Sequence, residues 1–312
     1  MSTEPAPTDG GHRSVIAAFL ANLGIAIAKL IGFLATGAAS MAAEAVHSVA
    51  DTGNQGLLLF GERRARRRPT SEHPFGYGRE RYFWSFVVAV VLFTAGGLFA
   101  LFEALEKLWH PHELESPAWA IAILGVAFVL EAMSLRTAVR ASRHDKGPGS
   151  WWRFIRESKQ AELPVVLLED TGALTGIVFA LTGIILASVT GNARFDALGS
   201  MAIGILLVAI ALTLATEMKS LLIGEAAPAE QIAAIRHAIE ADRHVARLLD
   251  LRTQQLAPED TLVAARVQLD DNLAGRDVVD VLKAIEDRIH EVAPEAHTIY
   301  LQPDAPPDGA VV

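Results

Sequence analysis

The amino-acid sequence predicts an α-helical membrane protein of six spans followed by a small α+β domain. Three observations lead there. The chain is 51% hydrophobic and 20% charged, with a mean hydropathy of +0.31. That mixture excludes a disordered chain and suits a membrane protein carrying a polar domain. Six apolar segments, 14–35, 40–60, 82–105, 118–139, 163–190 and 195–216, come up to the length of about 20 residues that a bilayer crossing takes. From Pro228 onward the apolar residues instead fall into short runs with helical or alternating spacing.

The leader MSTEPAPTDGGH has no cationic n-region, so residues 1–12 are expected to form a short disordered tail and not a signal peptide. Residues 13–220 then hold the six spans. The first two are joined by the short, uncharged stretch 36–39, which predicts a tight antiparallel pair. Between the second and third spans GERRARRRPTSEHPFGYGRER carries seven arginines. Between the fourth and fifth lie Arg136, Arg140, Arg143, Lys146, Arg153, Arg156 and Lys159. The alternate connections hold only Lys107 and Arg194. By the positive-inside rule the basic loops are cytoplasmic, and with an even number of spans both termini lie on that side. These clusters flank apolar segments, so they indicate membrane orientation and not a nucleic-acid partner. The abundance of arginine over lysine, with much alanine, points to a bacterial plasma membrane.

Residues 226–303 read as the soluble domain. Pro228 suits a first helical turn, and Ile232, Ile235 and Ile239 form one apolar face behind it. Strands are expected at 245–255 and 261–269, divided by the turn signal Pro258-Glu259-Asp260. Val278, Val281, Leu282, Ile285 and Ile289 mark a second amphipathic helix, and 298–301 a third strand. So small an α-β-β-α-β layer is commonly stabilised by pairing with a second copy. Residues 304–312 are expected to be a disordered tail.

There are no cysteines, so any metal ligands are imidazole and carboxylate. The second span contains MAAEAVHSVADTGNQ, with Glu44, His47 and Asp51 at i, i+3, i+7 on one helix face. A charged side chain at membrane depth costs about 2.5–3.5 kcal/mol on insertion scales and persists where it faces a bundle interior and does chemistry. An imidazole and a carboxylate one turn apart form half of a divalent-cation site. The alternative is a polar stripe bonding helix to helix. The fifth span supplies a second half-site in Glu169 and Asp170. Asp170 is placed to complete a shell with His47 and Asp51, while Glu169, about 100° further round the helix, faces the same cavity or a neighbouring helix. One of two adjacent buried carboxylates is expected to hold a proton until a cation displaces it, the physical basis for exchanging metal against protons. Glu131 reads as a relay near the inner mouth or as a snorkelling interfacial residue. Lys29 has no evident partner beyond one of these carboxylates, and His110 and His112 read as outer-loop residues. No nucleophile–base pair or phosphate-binding glycine loop argues for an enzyme.

These motifs resemble the cation diffusion facilitator family. The matching residues are Asn22 and Lys29, GAASMAAEAVHSVADTGNQ into the second span, EHPFGYGRERYFW entering the third, LLEDTGA in the fifth and FDALGSMAIGILL in the sixth. The glutamate before HSVAD, the asparagine after it and LLEDT are similar to the branch containing the mitochondrial zinc exporter of animals. The resemblance implies a homodimer with a ferredoxin-like cytoplasmic domain, and no prosthetic group. It also implies secondary active export of a divalent cation, zinc foremost, in exchange for protons. Its metal ligands fall on His47, Asp51 and Asp170. One position departs: Val166 stands where the family has a fifth-span ligand, leaving Glu169, Glu44 or water to replace it. Glu44 and Asn54 also open an oxygen-rich alternative suited to manganese, with cobalt and iron(II) as further candidates. The positions of regulatory zinc ligands in relatives fall on Leu249, Arg266 and Leu301, so the soluble domain is expected to pair without metal. His73, before Pro74, is expected to organise its turn. A non-transporting membrane sensor or scaffold is the rival reading.

Overall fold

The computed structural model describes residues 9–111, 116–146, 148–160 and 162–304. His112 and the outer parts of both expected tails lie outside the described residues. The chain divides into two compact units. The described residues of the first fall within Met1–Glu62, Phe83–Ile155 and Glu162–Met218, and the second gathers Arg63–Tyr82, Arg156–Ala161 and the C-terminal region from Lys219.

The first unit is helical. It is built from α1 (Asp9–Thr36), α2 (Ala39–Ala65), α3 (Glu80–Val91), a π-helical segment (Leu92–Leu98), α4 (Phe99–Trp109), α5 (Pro117–Lys146), α7 (Glu162–Thr190) and α8 (Arg194–Ile223). The short α6 (Trp151–Glu157) lies between α5 and α7. Six spans were expected from the apolar runs. Among the described residues four helices are long and apolar enough to cross a membrane: Glu80–Trp109, Pro117–Arg143, Glu162–Thr190 and Arg194–Ile223. The apolar part of α1 within the described side chains, Asn22–Thr36, is shorter. α2 falls below the others because Glu44, His47, Asp51 and Asn54 interrupt its apolar surface.

Met41, Leu92, Leu124, Ile177, Ile184, Ile203, Leu207 and Leu214 form the centre of the first unit's core. α7 and α8 approach closely enough that a Cβ on Gly183 would meet the Phe195 carbonyl oxygen at 2.9 Å, and one on Gly199 would meet that of Phe179 at the same distance. Small residues let membrane helices pack backbone to backbone in this way. The α1–α2 turn closes on Gly37, whose φ of +60° favours glycine and whose N–H donates to the Phe33 carbonyl at 2.8 Å. The next residues begin α2, and buried Asp196 of α8 caps them. Its carboxylate accepts the N–H groups of Ala39 (2.6 Å) and Ser40 (3.2 Å) and the Ser40 hydroxyl. Free helix N–H groups and the helix dipole both favour a carboxylate there.

The C-terminal part of the second unit has the order α9 (Ala229–Glu240), β1 (Val245–Ala257), β2 (Asp260–Leu269), α10 (Gly275–Val292), β3 (Thr298–Pro303). Its sheet runs β1-β2-β3, with β1 and β2 antiparallel and β3 parallel to β2 after the α10 crossover. The β1–β2 hairpin turns at Pro258-Glu259, where the sequence signalled it. Ile235, Ile239, Val263, Val267, Val281, Ile285 and Ile289 fill its core, while Ile232 is half-buried at the margin. In the 63–82 segment the His73 and Tyr77 rings stack at 4.5 Å and Arg67 lies over Tyr77 at 5.1 Å. The His73 ring thus packs within its own turn.

Asp242 locks α9 to α10 by accepting the His244 N–H (2.9 Å) and the Arg288 guanidinium. Burial alone pushes its carboxyl up, but these donors outweigh burial and hold it below the usual carboxylate range. A depressed folded value gives stability that is complete above the unfolded pKa of about 3.9 and is lost as pH falls through the folded value. Asp242→Asn is expected to lower the stability of this domain by about 1 kcal/mol at neutral pH. Scanning calorimetry of the full chain checks this, and the difference from the parent should close toward pH 3.

Candidate cation site

α2 turns its polar face inward. His47 is fully buried and its Nε2 stands 3.4 Å from Asp51 Oδ2, the i, i+4 geometry the sequence predicts. Among the described residues neither ring nitrogen of His47 has a hydrogen-bond partner, and Asp51 Oδ1 has none either. Buried polar atoms are nearly always bonded, and with Glu44 Oε1 and Asn54 Oδ1 also unpartnered the orphaned atoms gather along the polar face of α2.

α7 and α5 supply the opposite side. Glu169 Oε1 accepts the Asn54 side-chain amide at 2.7 Å, tying α7 to α2. Asp170 Oδ2 accepts the Ser134 hydroxyl of α5 at 3.0 Å. Between them lies a cavity of about 20 Å³, room for about one water-sized body, lined by Asp51, Glu131, Glu169, Asp170 and Val166 with Asn22, Ser48 and Gln55. The structure therefore gathers three of the five sequence-predicted ligands, Asp51, Glu169 and Asp170, around one cavity. It places His47 beside them through Asp51. Val166, the position at which the sequence departs from the family's ligand, also lines the cavity. Among the described residues no group of three His, Asp or Glu side chains stands close enough together to hold a metal ion as they are.

Glu44 is not part of this group. Its Oε2 accepts the Lys29 ammonium at 2.9 Å, and its other oxygen packs on Gly176 of α7, where any Cβ would collide with it. Lys29, read from the sequence as neutralising one of the carboxylates, does so here; it is fully buried, donates also to Ser48 Oγ at 2.8 Å and stands 3.8 Å from Glu131. Glu131 is buried against the cavity and does not snorkel to an interface. A lysine within an apolar segment was the one available signal for this network, because such a buried charge requires a partner. Which carboxylate it takes depends on helix rotations that spacing alone does not give.

Residues 15–223 match the family model of the cation efflux transmembrane domain, and residues 227–305 match that of the cation efflux protein cytoplasmic domain. The chain belongs to the cation efflux family. That family is one of transporters, not enzymes, and its cytoplasmic domain corresponds here to α9 through β3. The chain is similar to the mitochondrial proton-coupled zinc antiporter SLC30A9 of Homo sapiens, 33% identical over 255 residues, covering 81% of this chain and 45% of that protein. It is also similar to metal tolerance protein C4 of Arabidopsis thaliana, 30% identical over 220 residues, 69% of this chain and 48% of the relative. Zinc transporter ZitB of Pectobacterium atrosepticum is 31% identical over 120 residues, 38% of this chain and 37% of the relative. The chain spans less than half the length of each of these relatives.

The Asn54–Glu169 bond predicts its own test. Asn54→Leu leaves a buried carboxylate without its donor and is expected to cost about 1–3 kcal/mol. Thermal unfolding of the purified protein in detergent should show a lowered midpoint, with Asn54→Gln retaining more of the stability.

Proposed function

We propose that this protein is a secondary active transporter that exports a divalent transition metal, zinc foremost, from the cytoplasm in exchange for protons. The observation that carries the proposal is the cavity between α2 and α7, bounded by Asp51 and Asp170 and flanked by a buried histidine with two unbonded nitrogens. One imidazole with carboxylates is a donor set that suits zinc. His47, Asp51 and Asp170 are the ligands in this reading, with Glu169 held in place by Asn54. The names of the human and bacterial relatives, an antiporter and a transporter of zinc, support transport of a metal, and the plant relative is named for metal tolerance. Manganese, cobalt and iron(II) are the alternatives. The oxygen-rich site that would favour manganese is weakened by the commitment of Glu44 to Lys29.

In this reading residues 13–220 cross the membrane six times, with the polar α2 shielded by its neighbours. Residues 226–303 form a ferredoxin-like cytoplasmic domain that joins two copies, and residues 1–12 and 304–312 are tails. The arginine-rich loops put both termini in the cytoplasm. A bacterial plasma membrane is proposed on composition alone. The relatives named as mitochondrial give it no support. A scaffold or sensor without transport leaves the buried charges on facing helices without a role.

Zinc flux into proteoliposomes under an imposed pH gradient tests the proposal. The parent protein is expected to move zinc only with the gradient, and Asp51→Ala and Asp170→Ala to lose about tenfold or more of the flux. Equal flux in parent and variants would remove Asp51 and Asp170 from the mechanism.

A further inference from the structure

Lys29, Glu44 and Glu131 form a charge group beside the cavity to which the transport reading gives no role. The Lys29 ammonium is fully buried and has two hydrogen-bonded partners, Glu44 at 2.9 Å and Ser48 at 2.8 Å. Its distance to Glu131, 3.8 Å, is ion-pair range without a hydrogen bond. The geometry divides the two carboxylates. Glu44 is hydrogen-bonded to Lys29 through one oxygen, with the other packed against Gly176 without a hydrogen bond. Glu131 stands further from the ammonium, at ion-pair distance, and lines the cavity.

Counting charge sharpens the distinction. Glu44 already neutralises Lys29, so Glu131 shares a cation that belongs to another carboxylate. The remaining cavity carboxylates from α7 have neutral donors, Asn54 on Glu169 and Ser134 on Asp170. Glu131 is thus the lining carboxylate whose nearest cation is borrowed, in a cavity where Val166 supplies no donor at the position the second half-site needs. A divalent cation there, beside Asp51 with its unbonded Oδ1, offers Glu131 the counter-charge that Lys29 supplies only in part.

We infer that Glu131 of α5 is a further ligand of the transported cation, replacing the donor missing at Val166, and that Lys29 is its placeholder, holding the carboxylate at the cavity wall until the cation takes it over. The inference rests on the transport reading and deepens it. Two consequences follow from the geometry. Removing the Glu131 charge weakens cation binding. Removing the ammonium together with the Glu44 charge frees Glu131 and strengthens it, and that gain depends on Glu131 being present.

The test is zinc titration of the purified full-length protein in detergent, by competition with a fluorescent chelator. Glu131→Gln should raise the Kd by about tenfold or more. The pair Lys29→Met with Glu44→Gln leaves neutral groups of similar shape and should lower the Kd several-fold, and adding Glu131→Gln should abolish that gain. A Kd for Glu131→Gln equal to the parent's, while Asp51→Ala and Asp170→Ala lose the site, overturns this inference and leaves the transport reading standing. A parent protein that does not bind zinc, or Asp51→Ala and Asp170→Ala variants that bind as well as the parent, overturns both. Should Glu131→Gln not fold, Glu131→Asp retains the charge but withdraws it from the cavity, and an unchanged Kd in that variant overturns the inference equally.

Discussion

Ionised groups buried among apolar helices must be answered by one another or by a cation, and the helical unit is arranged around that constraint. Lys29 and Glu44 answer each other across α1 and α2. Glu169 is answered by Asn54 and Asp170 by Ser134, in both cases by neutral donors. His47 and Asp51 are left with unbonded atoms at the edge of a cavity. An unbonded buried polar atom costs about 1–3 kcal/mol, so a site that carries several of them at rest is poised to gain when a ligand satisfies them.

The same constraint accounts for the packing. α2 is the most polar of the long helices and contributes to the site through His47, Ser48, Asp51, Asn54 and Gln55, so its start must be fixed. Asp196 does this from α8 by capping Ala39 and Ser40, and Gly37 permits the turn before it. Gly176 gives the Glu44 carboxylate space against α7, and Gly183 and Gly199 bring α7 and α8 into backbone contact. Polar side chains thus dictate where the small residues of neighbouring helices lie.

Much of this was legible in the sequence, and the limits have physical reasons. Spacing along one helix gave His47 and Asp51 as a pair, since i and i+4 lie on one face regardless of context. The hairpin at Pro258-Glu259 and the apolar faces of α9 and α10 were equally local. The Lys29–Glu44–Glu131 network was not legible, because it joins α1, α2 and α5, and the rotation of each helix is set by packing. For the same reason Glu44, on the ligand face of α2 by spacing, belongs to Lys29 and not to the cavity. Val166 was identified by the family pattern as a missing donor, but only the structure places Glu131 beside it.

The account depends on one imidazole and surrounding carboxylates enclosing a single cation between α2 and α7. X-ray absorption spectroscopy of the zinc-loaded full chain measures that shell directly. The expected spectrum shows one imidazole nitrogen with oxygen ligands at about 2.0–2.2 Å, at one zinc per chain, and loses that signature in His47→Ala. A shell of two or more imidazoles, or one of water alone, unchanged in that variant, would contradict the account.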